Sequence, residues 1–565
     1  MAKAKVSGRA LWLAAVLAAL FMASQGTGRA QEEGTDVELV SEGNVTEAAT
    51  ETEESPAEAE SVTMETGGEE EDGEEVEVKE ATAKKTVSFE IPLKVDGLYT
   101  YMSDIQVSDI SQDRPEDEIL FGNNLGMNSI GGARFRLTPT FKYKDVLSIV
   151  AQGDLLLYPF GDEPEGVDRS SDIRTNFGDN RSWRSWFNPR HLYLEALLPF
   201  GLLRAGQMGS MWGMGMLAND GDQDPVFGTV FGGDIVERVL FATKPFYKLN
   251  NEYIKDFVLA IAGDLVFDDI TAKLYKGDLA WQAVVALRWS WKKQSAGFYF
   301  VYRNQTKKDD RKLEIYAIDF TAHLAMDFIH NLEGYVEAET VYITGETTLA
   351  RSILYPGGHD VSQFGIVGRL GLKWLETINF WLELGYASGD SNAYDDSIKQ
   401  LTMDPSRKVG LILFPEVLAW QSARGAVLAG HDEITGQDNP GIELLPSNGG
   451  VSGSFYFNPV LRAKPLKWLE ANVGLVVARA STYLISAWEQ KSHGAPAGYL
   501  GGSASQTNLG VELDGSLWFH IPVKYVGLSA GVEAGYFWPG KYFSDSAGNK
   551  MDDVWLISTR VKLTY

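Results

Sequence analysis

The sequence predicts an all-β chain: a transmembrane antiparallel β-barrel of about eighteen strands, sixteen being also compatible, preceded by a disordered acidic segment. Three observations predict it. After Lys85, segments of about ten to fifteen residues place an apolar side chain at every second position, the period of a strand with one face on lipid. Short and long links alternate between these segments. Beyond the N-terminus no apolar run approaches the roughly twenty residues of a spanning helix. Composition agrees, since 12% aromatic residues and 58 glycines among 565 residues suit many strands and tight turns. The lack of cysteine excludes thiolate catalysis, disulfides and Cys-ligated zinc.

Residues 1–30 read as a signal peptide. Lys3, Lys5 and Arg9 precede an apolar run from Leu11 to Ala23, and Gly28-Arg29-Ala30 offers a cleavage site before Gln31. Residues 31–85 form the acidic segment: from Glu32 to Glu80 there are about twenty acids, one lysine (Lys79) and no aromatic residue, too little apolar surface to offset ordering entropy. It is expected to be a periplasmic spacer, and it holds roughly nineteen of the chain's 27 net negative charges. The barrel is expected to occupy residues 86–565.

Within that span the strand faces separate. From Val554 to Tyr565 one face carries Trp555, Ile557, Val561, Leu563 and Tyr565, and the other Ser558, Arg560, Lys562 and Thr564. Lipid would meet the first set and water the second. The same alternation runs through Arg134 to Lys142, Trp281 to Lys292, Asn331 to Ile343 and Leu509 to His520. The inward faces are expected to line a lumen with the bases Arg134, Arg136, Lys142, Arg204, Arg288, Arg303, Arg369, Lys373, Arg462, Arg560 and Lys562. The acids Asp319, Glu333, Glu337, Glu339, Glu383, Glu470, Glu512, Asp514 and Glu533 are expected to point the same way. Bases gather near Arg134 and Arg560, acids near Glu333 to Glu339 and Glu512 to Glu533, which predicts a field across the lumen; mutual pairing that supports the wall is the other reading.

The links separate into two classes. Tight ones fall at Tyr143-Lys144-Asp145, Pro199-Phe200-Gly201, Lys292 to Ser295, Leu375-Glu376-Thr377, Lys464 to Lys467 and Pro522-Val523-Lys524. Long ones run over Ser103 to Asn128, Gly161 to Pro189, Ala387 to Gly453 and Ala480 to Thr507. The link from Ala387 to Gly453 contains an apolar stretch, Val409 to Pro415, that reads either as an extra hairpin or as a loop folding inward. The glycine-rich run from Met208 to Met216 suggests a second loop that folds in and narrows the pore. Beyond it, Asp220, Asp222 and Asp224 have a spacing that could gather a hard cation such as calcium, but Pro225 breaks the usual calcium-loop pattern, so the metal signal is weak. No cofactor is expected.

Val554 to Tyr565, a C-terminal strand ending on an aromatic residue, resembles the membrane-insertion signal of Gram-negative outer-membrane barrels, which implies recognition by the barrel-assembly machinery. Arg134-Phe135-Arg136-Leu137-Thr138-Pro139-Thr140 and the runs Pro199 to Met208 and Trp212 to Asp222 resemble a largely uncharacterised family of porin-like outer-membrane proteins. They are more distantly similar to the alginate-export porins. The resemblance implies a fold and an outer-membrane location, and no substrate.

None of the seven histidines sits in GxSxG or HExxH context, so hydrolase chemistry finds no support and no enzyme is expected. No phosphate loop or basic stripe favours nucleic acid. The function expected is a channel for diffusion of small hydrophilic solutes, since sixteen to eighteen strands leave an aqueous lumen. The alternative is a non-transporting receptor, adhesin or structural barrel whose acidic segment tethers a periplasmic partner.

Overall fold

The computed structural model describes residues 87–108, 123–162, 187–329, 331–350, 355–392, 395–430, 441, 444–524 and 526–565. The expected signal peptide and the acidic segment lie outside these residues. A closed antiparallel wall of eighteen staves accounts for nearly all the strand residues. The first nine are β1 (Leu93–Met102), β2 (Ser129–Leu137), β3 (Leu147–Gly161), β4 (Phe187–Leu198), β5 (Gly201–Gly209), β6 (Ile235–Thr243), β7 (Val258–Asp268), β8 (Leu279–Trp291) and β9 (Gln294–Thr306). The others are β10 (Lys312–Ile329), β11 (Leu332–Thr347), β12 (His359–Trp374), β13 (Ile378–Ala387), β14 (Ser454–Leu466), β15 (Leu469–Ala480), β16 (Asn508–Val523), β17 (Val526–Pro539) and β18 (Val554–Thr564). The wall closes where Lys94 to Met102 of β1 pair with Thr564 to Leu556 of β18. Closure leaves no edge, so every stave has two partners for its backbone groups.

Three shorter strands explain why the strand elements outnumber the staves. Val87–Glu90 continues β1 and Thr140–Tyr143 continues β2, and these two extensions pair with each other. Pro92 and Pro139 interrupt the staves because a proline has no N–H to give the ladder. The Thr138 N–H donates to the Pro92 carbonyl across the break. Ser397–Ile398, the third, lies in a loop alongside Asp360 and Val361.

Alternation decides the faces, as expected. Phe320, Leu370, Val473, Ile557 and Val561 point outward and are exposed, in an apolar outer band rich in aromatic contacts such as Trp281 with Tyr302 at 5.2 Å. Such a band suits hydrocarbon contact. Among the described residues no helix is long and apolar enough to cross a membrane.

At one end the staves join by tight turns. Lys144 and Asp145 both adopt positive φ, at 51° and 53°, the geometry that matches strand twist in a two-residue hairpin. One link at this end, between Thr243 and Val258, is long, and the pattern of tight links gave no warning of it. At the other end most links are long, and among the described residues two of them turn back into the barrel. The link between β13 and β14 resolves the open choice: it forms no added hairpin but goes inward as a π-helical turn, Leu413–Leu418, and a helix, α1 (Ala419–Gly430). All of Leu413 to Leu418 and most of α1 are buried.

Candidate functional site: a lumen crossed by two straps

The first strap, Ser210 to Asp234, leaves β5 and crosses the lumen. At one wall the Trp212 ring stacks on Tyr299 of β9, with centroids 4.8 Å apart, and its Nε1–H donates to Asp319 of β10 at 3.0 Å. The Met214 and Met216 N–H groups donate to the Glu339 carboxylate of β11, the latter at 3.2 Å. Gly213 has φ +56°, and a Cβ there would sit 2.7 Å from Glu339 Oε2, so glycine is needed for this approach. The far wall is reached next. Asp222 accepts from Arg136 at 2.6 Å and Arg190 at 2.7 Å, and Asp224 pairs with Lys94 at 3.2 Å and Lys562 at 3.1 Å. The Gly228 N–H donates to Glu533 at 3.0 Å, and the Val230 carbonyl accepts from Arg134 at 3.0 Å. In the closed strand order β10 lies opposite β1, so the strap spans a diameter.

The second strap comes from the link after β13. Arg407 donates to Glu383 of β13 at 2.7 Å and to the Tyr456 hydroxyl of β14 at 2.9 Å. Three successive backbone N–H groups, of Leu411, Ile412 and Leu413, donate to the Glu512 carboxylate of β16 at 2.5, 2.8 and 2.7 Å. The straps also meet, through the Asp404 N–H and the Met216 carbonyl at 2.9 Å. Between them and the wall from β11 to β14 remains a polar cavity of about 130 Å³ whose lining includes Asp224, Tyr335, Arg369, Glu383, Arg407 and Lys408. A smaller one of about 40 Å³ lies by Thr100, Gly228, Lys408, Glu533 and Ser558.

The expected aqueous lumen is therefore corrected: the straps fill much of it. Strand periodicity sets which way wall residues point but says nothing of what the long links do with the space. Val284, Ala286, Tyr299, Val301, Val341 and Val367 point inward and are buried, apolar side chains on a face expected to be polar, and Trp212 packs among the first of them.

The expected lining residues occupy the inner face, and most have a partner of opposite charge there. Arg134 pairs with Asp96 at 2.6 Å, Arg136 with Asp154 at 2.7 Å, Arg204 with Glu195 at 2.5 Å and Arg303 with Asp269 at 2.5 Å. Arg369 bridges Glu337 at 3.1 Å and Glu383 at 3.0 Å, Arg462 meets Glu470 at 2.7 Å, and Arg560 meets Glu533 at 2.7 Å. Glu333 pairs with Lys293 and stands opposite Lys373 in the register, Lys562 holds Asp224, and Asp514 is buried beside Glu512. Arg288 shares the inner face of β8 with Ser290. Lys142 shares a face with Arg136 by register but is exposed at the tight-turn rim, clear of the straps. Most of the bases thus neighbour acids, which favours the second of the two expected readings, local pairing, over a field across the lumen. The acids Asp319, Glu339 and Glu512 have a different task, receiving donors from the straps. Trp555, Ile557, Val561, Leu563 and Tyr565 form or prolong the outward row of β18.

Asp220, Asp222 and Asp224 do not converge on a shared point. Asp222 faces two guanidinium groups and Asp224 two ammonium groups, while Asp220 accepts the Asp222 N–H at 3.0 Å. Among the described residues no cluster of three or more His, Asp or Glu could hold a metal ion. Burial beside ionised Asp222 pushes the Asp220 carboxyl up to about 7, whereas Arg190 and Arg136 hold Asp222 well below the usual range despite burial. Burial likewise brings the Lys408 ammonium down to about 8, opposed by Glu416 and Asp404. Sequence reasoning missed Arg190, Arg238, Arg407 and Lys408, the first behind a register shift near His191 and the last two in the unassigned link.

No protein-family model matches the sequence, and no curated protein matches it. The chain resembles solved outer-membrane channels in strand architecture. OprD from Pseudomonas aeruginosa is 9% identical with TM-score 0.46, over 84% of this chain and 94% of that one. OccK8 (OprE) from the same organism is 10% identical with TM-score 0.46, over 84% and 98%. OccAB1 from Acinetobacter baumannii is 7% identical with TM-score 0.46, over 84% and 96%. The expected likeness to alginate-export porins gains no support from these structures. The chemistry of the lumen rests on this chain's own residues.

Removing the Asp222 charge, as in Asp222→Asn, leaves Arg136 and Arg190 short of an acceptor, and a hydrogen bond to a charged group is worth about 1.5–3 kcal/mol. Protease cleavage within residues 210–234 of the folded barrel is expected to speed up by at least tenfold, and unchanged cleavage would refute the anchor. Because the folded value of Asp220 lies above its unfolded one, its neutral form favours docking. That contribution is complete below about pH 4 and is lost as pH rises through about 7. Cleavage of the strap is expected to rise between pH 6 and 8, and Asp220→Asn to flatten that rise.

Proposed function

We propose that the barrel is an outer-membrane channel for small hydrophilic solutes, narrowed by two straps to a polar passage beside β11 to β14. The observation that carries this is the cavity between the straps, lined by charged groups of both signs, inside a wall whose outer band is apolar. A hydrated solute meets carboxylate, guanidinium and ammonium groups in turn. It can exchange hydrogen bonds with them, whereas an apolar solute would have to desolvate them. Since Arg369, Arg407 and Arg462 are already matched by Glu337, Glu383 and Glu470, the passage should sort solutes by size more than by sign.

The proposal includes insertion through the terminal strand Val554 to Tyr565 by the barrel-assembly machinery, with the tight turns and residues 31–85 on the periplasmic side. The even number of staves supports this arrangement, since it places the Leu93–Tyr565 pairing at the tight-turn end.

Planar-bilayer recording tests the reading: the full protein is expected to give small stepwise conductances. Glu512→Ala removes the acceptor of three buried N–H groups, each costing about 1–3 kcal/mol when unsatisfied. It should widen the passage and raise unit conductance several-fold. Glu512→Gln keeps one acceptor oxygen and should fall between. A barrel silent in all three forms would refute transport and leave a receptor or tethering role.

A further inference from the structure

We propose that the acidic segment from Glu32 to Glu80 docks on the tight-turn rim of its own barrel. The chain enters the wall at this rim: Val87 pairs with Tyr143, next to the Lys144–Asp145 turn. The links at this end carry eight lysines against four acids and no arginine, whereas the described long links carry more acids than bases. The barrel is thus polarised along its axis, with its basic end where the acidic segment is attached.

The lysines are available to a ligand. Lys244 already pairs with Asp256 and Lys293 with Asp327, each at 2.8 Å. Lys144, Lys248, Lys255, Lys292 and Lys467 are exposed, and among the described residues they make no ion pair. Three of the five sit over neighbouring rings, Lys144 on Tyr143, Lys248 on Tyr247 and Lys292 on Trp291, which holds the ammonium at the rim instead of letting it swing away. The long link from Lys244 to Phe257 adds Lys248 and Lys255 on a projecting ledge with exposed Tyr247, Leu249 and Tyr253.

Reach and strength both permit docking. Only six residues separate Glu80 from Val87, and a chain extends at most about 3.5 Å per residue, so Glu69 to Glu80 can lie anywhere on the near rim. Staves about 4.8 Å apart and tilted about 40° give a barrel roughly 35 Å across, within reach of the remaining acids. Each exposed ion pair is weak by itself. Tethering replaces bulk encounter with an effective concentration near millimolar, so many weak pairs add up. Such contacts are salt-labile, with a screening length of ~3 Å in about 1 M salt.

The test uses the full chain in zwitterionic nanodiscs, treated with a zero-length carbodiimide at low ionic strength and mapped by mass spectrometry. Expected are cross-links from acids of residues 32–80 to Lys144, Lys248, Lys255, Lys292 and Lys467, falling at least fivefold in about 1 M salt. A full-length variant with Lys144→Glu, Lys248→Glu and Lys255→Glu should lose most of them while keeping its heat-modifiable migration. Mixing isotopically heavy and light protein should show the links within one chain. No cross-links, or equal linking to Lys308, Lys541 and Lys550 at the other end, would overturn the proposal. So would links found only between heavy and light chains, which would make the occupant a second copy. Loss of the links in anionic but not zwitterionic nanodiscs would also overturn it, assigning the rim to lipid headgroups.

Discussion

The structure depends on one constraint: behind an apolar outer band, the backbone N–H and C=O groups of a closed wall have no water to fall back on. Eighteen staves joined through β1 and β18 meet that constraint with inter-strand bonds alone. Closure then dictates the two-residue alternation, the apolar outer row and a polar interior, and leaves the diameter to the number of staves. It also makes a void that side chains alone cannot fill. The two straps occupy that void, and their own unpaired N–H groups raise the same demand inside the barrel that the wall answered at its surface.

Carboxylates answer it. Glu339 takes the Met214 and Met216 N–H groups, Asp319 the Trp212 indole, and Glu512 three successive N–H groups at the entry to the buried helix. Buried acids of this kind have two routes to compensation, a cation or converging donors, and the barrel uses both. Where a base stands on the next stave, as with Glu195 and Arg204, the pair is closed within the wall. Where none does, the strap supplies the donors. The acidic arcs seen in the sequence are thus less a source of field than the set of attachment points for the inserted chain.

Much of this was legible beforehand. Stave count, faces and the inward placement of Arg134 to Lys562 followed from alternation, which is local and depends only on neighbours along the strand. Inward folding at Met208 to Met216 was legible from its glycines. Unread were the apolar residues on the inner face, such as Val284, Tyr299 and Val301, which break the alternation where Trp212 docks. They carry the one sequence signal that could have revealed a filled lumen: a strand apolar on both faces at mid-height has a second partner besides lipid. The link from 387 to 453 stayed open because an apolar stretch such as Val409 to Pro415 suits a hairpin and a buried helix equally.

By itself the sequence determined a barrel with an acidic leader, because period-two patterning and composition need no knowledge of distant contacts. Tertiary structure alone decided which acids meet bases and which hold straps, that Asp220, Asp222 and Asp224 go to different partners, and that the polar cavity lies against β11 to β14. Those outcomes depend on residues on different elements, as far apart in the chain as Leu411 and Glu512, being brought within hydrogen-bond range by closure of the wall. No local pattern encodes that distance.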